Sequence, residues 1–305
     1  MKLSLAPLAY YWSKEVSAQF YHDALKWPVD IIYLGEVICS RRHVMRLADY
    51  IALAKDCRDA GKQAVISTLT LIDNEADRRA MHKLIDAALA EDFLVEANDF
   101  SAVRALQGKA FVAGPHLNIY HDETLTWLQR FGACRFTPPI ECGRDDLQVL
   151  QQHRPQGMET ELQVWGRMNL AYSARCFTAR HHHLRKDNCE FSCEKYADGL
   201  SLATREKREF LNLNGIQTQS STCIDLGAQL PELAAMGIDI LRLQIQSQGM
   251  AEIVQAFDDG RKAQRAVSVD ARLLPPHAER CNGYWSGKPG MSWETHTATV
   301  ASQIP

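Results

Sequence analysis

A chain of 305 residues, 46% of them hydrophobic, has enough apolar material for one large core and suits a (β/α) barrel, typically about 250 residues. A formal net charge of −3 gives no electrostatic case for nucleic acid. No apolar run of about 18 residues is present to span a membrane. The opening MKLSLAPLAYYW is too short in its apolar part for a secretory signal and lacks a small-residue cleavage site, so a cytoplasmic protein is expected.

The chain repeats one pattern: a short apolar run, a turn, then a segment of helical period. A strand over 3–7 precedes a helix over 15–25. A strand over 30–36 precedes a helix over 41–61, with Val44, Leu47, Ile51 and Ala54 on one face and a glycine stop. Strands follow over 63–70 and 92–98, with helices over 75–90 and 99–106. The segment 109–120 carries the fifth strand, 134–139 the sixth and 161–167 the seventh, with helices over 122–132 and 143–152 between them. Arg205, Lys207 and Arg208 alternate with Glu206 and Glu209 and read as a solvated helix face. Residues 211–225 are polar, with an irregular strand near 218–223. A helix over 226–237, with Asp225 as N-cap, a strand over 239–246 and a closing helix over 250–270 complete the series.

Eight or nine strands alternating with helices predict an α/β fold, a TIM-like (β/α) barrel over residues 1–272. An open doubly wound sheet is the alternative, but no glycine-rich phosphate fingerprint follows the first strand. Residues 273–305 have no period and carry Tyr284, Trp285 and Trp293. They read as an ordered tail packing on the barrel or on a partner.

The stretch 161–195 departs from the βα rhythm. After the seventh strand, an excursion over 170–200 brings Cys176, Cys189 and Cys193 close together in sequence. The last two are four residues apart, which on a helix places both thiols on one face. Nine cysteines without a secretory signal read as buried fillers, metal ligands or redox groups rather than as disulfides. Three converging thiols point to a metal or cluster site that lacks one ligand. Chemistry in a barrel sits on the rim that follows the strands. Cys39, Cys142 and Cys223 qualify for that rim and Cys281 is not excluded, whereas Cys57 and Cys134 read as buried apolar fillers. Both zinc and iron–sulfur clusters take four thiolates, and scattered ligation suits a cluster better than a zinc knuckle. The run His181 to His183 keeps zinc in view, although three adjacent histidines cannot all face one metal from a helix. Glu36, Asn98, His116, Asn118, Glu161, Arg167, Arg242 and Gln244 stand near strand ends, where each lines the rim or simply packs in the barrel. No HExxH or GxSxG motif is present.

Two segments carry a family resemblance: the E-x-x-V…AYSARC run from Glu161 to Cys176, and TCIDLGAQLPELAAMGIDILRLQIQSQ from Thr222 to Gln248. Both resemble the collagenase-like peptidase superfamily, whose members share a distorted (β/α) barrel. Cys39, the cysteine triplet and the NGYW-x-GKPGM-x-W tail are similar to a branch of that superfamily serving oxygen-independent ubiquinone biosynthesis. The resemblance implies a [4Fe–4S] cluster on Cys39, Cys176, Cys189 and Cys193. It implies a heterodimer with a homologous, UbiU-like cluster protein. It also implies hydroxylation of a quinone precursor under anaerobic conditions, with prephenate as the oxygen donor. Where peptidase members carry His-Gly after the glutamate strand, this sequence has Arg167 and Met168, which argues against proteolysis. A hydrolase of the wider family and a non-catalytic cluster or zinc subunit stand as the alternatives.

Overall fold

A computed structural model describes residues 1–295. Seven parallel strands follow one another: β1 (Lys2–Leu5), β2 (Ile31–Leu34), β3 (Gln63–Ser67), β4 (Leu94–Ala97), β5 (Phe111–Ala113), β6 (Ala133–Phe136) and β7 (Glu159–Tyr172). Their apolar runs are buried on both faces, as a sheet covered by helices requires. The helices between them are α1 (Lys14–Ala24), α2 (Leu47–Asp59), α3 (Glu75–Ala90), α4 (Phe100–Ala105), α5 (Asp122–Phe131) and α6 (Arg144–Gln152). After the excursion come β8 (Leu200–Ala203), β9 (Glu209–Asn214) and β10 (Gln217–Asp225), and then β11 (Ile240–Leu243), which pairs in parallel with both β7 and β1. Those two pairings close an eight-stranded barrel, as the alternating pattern predicts.

The distortion lies in β7. Its first half pairs in parallel with β6 and β11, while its second half overhangs the barrel and pairs antiparallel with β10. Strands β9 and β8 add to β10 in turn, also antiparallel. Gly166 (φ +113°) makes the break in register possible, since a Cβ there would run into the side chain of Gln244. The charged segment read as a helix face is instead the β8–β9 turn. Thr204 N donates to Arg208 O, and Lys207 takes a left-handed conformation.

Helix α2 starts six residues later than its period suggests, because Arg42 turns inward and is 5% exposed. Its first turn is closed by the Asp49 carboxylate accepting from Arg46 N. The helix expected over 226–237 opens as a 3₁₀ turn, Gly227–Gln229, before α8 (Leu230–Met236). Asp225 ends β10 and accepts from Gly227 N rather than capping the helix itself. The last helix, α9 (Met250–Ala263), ends short of residue 270. In the tail, Arg280–Cys281 pairs with β10 and Trp285 is buried, whereas Trp293 is exposed. The tail residues 296–305 lie outside the described residues. Among the described residues no helix is long and apolar enough to cross a membrane.

Candidate functional site

The loop after β2 is folded by its own side chains. Glu36 accepts from the amides of Ile38 (2.8 Å) and Cys39 (3.0 Å), which turns the chain back sharply. Arg42 then reaches inward to Ala9 O and Asn214 Oδ1, both at 2.6 Å, with Glu36 3.8 Å away. One guanidinium thereby ties three separate segments together. Cys39 packs beneath it with Ala9, Val37, Ile38 and Ile216, and Tyr172 and Cys176 close the same apolar cluster.

The excursion after β7 is pinned to the β9–β10 turn. Phe177 N donates to Gly215 O, and Gly215 N donates to Thr178 Oγ1 at 3.0 Å. Cys176 caps the short helix α7 (Phe177–His181), its sulfur accepting from Ala179 N at 3.4 Å. Cys189 and Cys193 do not share a helix face. Cys189 ends one 3₁₀ turn (Lys186–Asn188) and Cys193 lies in the next (Ser192–Lys195). Between them Glu190 and Phe191 both take φ +50°, a conformation that a bulky residue adopts only when its surroundings hold it there. The Phe191 ring is held by Tyr11 (5.7 Å between centroids) and His43 (5.1 Å).

These folds bring Cys39, Cys176, Cys189 and Cys193 to the lining of one small cavity, with Arg41, Arg42, Lys186 and Phe191 around them. The Nε atoms of Arg41 and Arg42 are buried without a hydrogen-bond partner among the described residues. Four thiols, nearby cationic side chains with unused N–H donors and no carboxylate in the lining form a donor set suited to a thiolate-ligated group of negative charge. Among the described residues no three His, Cys, Asp or Glu side chains gather closely enough to hold a single metal ion. Tetrahedral thiolates on zinc stand about 3.8 Å apart, given Zn–S bonds of about 2.3 Å. A multi-iron cluster places its own atoms between the thiolates and accommodates wider spacing.

Burial raises the thiols of Cys39, Cys176 and Cys193 above their ordinary value, with Arg42 pulling in the opposite direction. A thiol held protonated is a poor nucleophile. A bound metal would drive the proton off instead.

The remaining candidates fall elsewhere. Cys142, Cys223 and Cys281 are buried and do not line the cavity, and burial pushes the thiols of Cys142 and Cys281 up to about 12 and about 11. Cys57 is a buried filler in α2, and Cys134 donates to Phe111 O. His181 and His183 are exposed, and His182 bonds the Tyr196 hydroxyl at 2.9 Å. Arg167 spends its guanidinium on the carbonyls of Ser220, Ser221 and Pro276, and Met168 is buried in the core. Glu161 and Arg242 form a network in the barrel core. Glu161 accepts from Ser4 and Tyr33, while Arg242 donates to Glu96 at 2.8 Å. Asn98, His116, Asn118 and Gln244 line the barrel mouth. The sequence reading missed Arg42, Lys186 and Phe191. Arg42 had a signal, a basic residue three positions after Cys39, but it was absorbed into an apparent helix.

Residues 17–269 match peptidase family U32. Among solved structures the chain is similar to a U32 peptidase, at 9% identity over 81% of this chain and 94% of that one, with a TM-score of 0.45. It is also similar to thiamine phosphate pyrophosphorylase from Pyrococcus furiosus, at 12% identity over 86% and 95% of the two chains, TM-score 0.44. Dihydropteroate synthase from Burkholderia cenocepacia is a third, at 11% identity over 86% and 92%, TM-score 0.43.

Proposed function

The chain belongs to peptidase family U32, and from that footing we propose that it is a [4Fe–4S] protein of oxygen-independent ubiquinone biosynthesis rather than a peptidase. The observation that carries the reading is the convergence of Cys39, Cys176, Cys189 and Cys193 on one cavity from two loops far apart in the chain. In this assignment the four thiolates are the ligands. Arg41, Arg42 and Lys186 offset their negative charge, and the Ala179 amide donates to the Cys176 sulfur. Phe191, braced by Tyr11 and His43, shields the cavity from water. A cluster bound there supplies one-electron redox chemistry tuned by burial and by those N–H donors.

The finer reading is UbiV-like. The chain acts as one half of a heterodimer with a homologous UbiU-like cluster protein, and the pair hydroxylates a quinone precursor without dioxygen, with prephenate as oxygen donor. The Cys39 position, the cysteine triplet and the tail from Asn282 to Trp293 support it. The raised thiols and the absence of a His-Gly pair at Arg167 and Met168 weigh against proteolysis.

The test is anaerobic co-expression with the partner, followed by assay of ring hydroxylation in the complex. Cys→Ala at each of the four positions is expected to abolish the visible absorbance of the chain and the activity of the complex together. Loss of solubility and partner binding with full activity of the remaining complex would make the cluster structural. Gelatin cleavage that disappears on a single substitution would restore the peptidase reading.

A further inference from the structure

A second cavity, of about 280 Å³, opens at the barrel mouth. Its wall comes from the segments that follow β3, β5 and β6 and from β7, among them Thr70, His116, Thr137, Ile140, Gln163 and Tyr172. Below it lies a narrow floor reached by Asn98 and Arg242, and His116, Asn169 and Tyr172 line both levels. An engineered cavity of about 150 Å³ already admits a benzene ring, so the mouth has room for a substituted ring.

Some of its polar groups are bonded within the protein, such as Gln163, Asn169 and Tyr172, and others are left over. Among the described residues, Thr137 Oγ1 at the mouth and Asn98 Oδ1 and Arg242 Nε at its narrow floor find no hydrogen-bond partner. Thr137, Asn98 and Arg242 are each no more than 2% exposed. Buried polar atoms ordinarily find partners, so these mark a place where a ligand or ordered water supplies them. Pro115, Pro138, Pro139 and Ile140 add flat apolar surfaces.

The charge around the mouth selects the kind of ligand. Among the described residues Arg242, at the floor, is the one Lys or Arg lining either level, and two carboxylates already neutralise it, Glu96 at 2.8 Å and Glu161 at 3.6 Å. Glu141 adds negative charge at the rim. His116 stays neutral, because burial drops its pKa to about 4, with Glu96 raising it and Arg242 lowering it. Among the described residues no lysine lines either level. Many barrels bind phosphate on this rim; here no cation is spare for one.

We infer that the barrel mouth binds an uncharged, ring-sized molecule carrying hydroxyl, carbonyl or amide groups, and rejects anions. Tyr172 ties the mouth to the apolar packing around Cys39. It lines the mouth, and its ring packs against the cluster of apolar side chains that holds Cys39 and Cys176. The inference rests on the mouth alone and is independent of what the thiols hold.

The experiment is ligand-detected NMR titration of the full chain with benzamide and with benzoate, which share a shape and differ in charge. Near neutral pH, benzamide is expected to bind at least about tenfold more tightly than benzoate. Ile140→Trp, which fills the mouth from its rim, is expected to abolish benzamide binding. Thr137→Val removes one unpartnered hydroxyl at nearly constant shape and is expected to weaken it about threefold. If Ile140→Trp fails to fold, Thr137→Val decides. Benzoate binding as tight as benzamide, benzamide binding unchanged in the folded variants, or no benzamide binding up to its solubility limit would overturn the inference.

Discussion

Arg42 illustrates how much of this site depends on one side chain. It is almost fully buried and donates to a backbone carbonyl of the β1 loop and to Asn214 of the β9–β10 turn. Arg42→Met keeps the volume but leaves Asn214 Oδ1 without a donor, removes one of the two donors to Ala9 O, and leaves Glu36 without its cation. Stability in urea is expected to drop by about 3 kcal/mol, within the range for breaking a buried charge network. His116 gives a pH signature. Its folded pKa of about 4 lies below the unfolded value of 6.5, so as pH falls the unfolded chain takes up the proton first. The stability contribution is complete above about pH 6.5 and is lost as pH falls toward about 4. Wild type is expected to lose about 3 kcal/mol more than His116→Gln between those limits. Parallel pH–stability curves for the two proteins would contradict the burial of a neutral imidazole.

At the scale of elements, β7 does what no ordinary barrel strand does. Its 14 residues serve the barrel with one half and the β8–β10 extension with the other, and Gly166 sits at the change. Gly166→Ala puts a Cβ against Gln244 at a φ that L-residues avoid. It is expected to cost about 2 kcal/mol or more by thermal unfolding, and a neutral result would show the strand to be straighter than described. The tail packs through Trp285, whose Nε1 donates to Glu232 at 3.3 Å. Trp285→Ala is expected to cost about 3–5 kcal/mol, whereas the exposed Trp293 is expected to tolerate alanine within about 0.5 kcal/mol.

Those elements also show where sequence pattern stops being informative. Strands β1 to β7 and β11 announce themselves because both faces are buried and their runs are apolar. Strands β8 and β9 form a partly exposed hairpin whose charged turn has helical spacing, so no periodic signal separates it from a solvated helix. Cys189 and Cys193 have the spacing of a helix face, yet Glu190 and Phe191 break the helix between them in a conformation their side chains give no hint of.

At the scale of the whole molecule, the barrel brings two cavities to one rim. Residue spacing narrowed the partner of the cysteine triplet to several rim cysteines, and the family likeness chose Cys39 among them. The fold then brings all four thiols to one cavity lining, and it adds Arg42 and Phe191, whose roles depend on contacts more than 100 residues away in sequence and so leave no local pattern. Everything proposed for the thiol cavity reduces to what it holds. The most direct measurement is iron and acid-labile sulfide on the anaerobically reconstituted full chain, for wild type and for Cys39→Ser. Wild type is expected to carry about four iron and four sulfide per chain, and Cys39→Ser to carry a small fraction of that while staying folded by circular dichroism. Iron without sulfide, one zinc in place of iron, or a Cys39→Ser variant loaded like wild type would contradict the account.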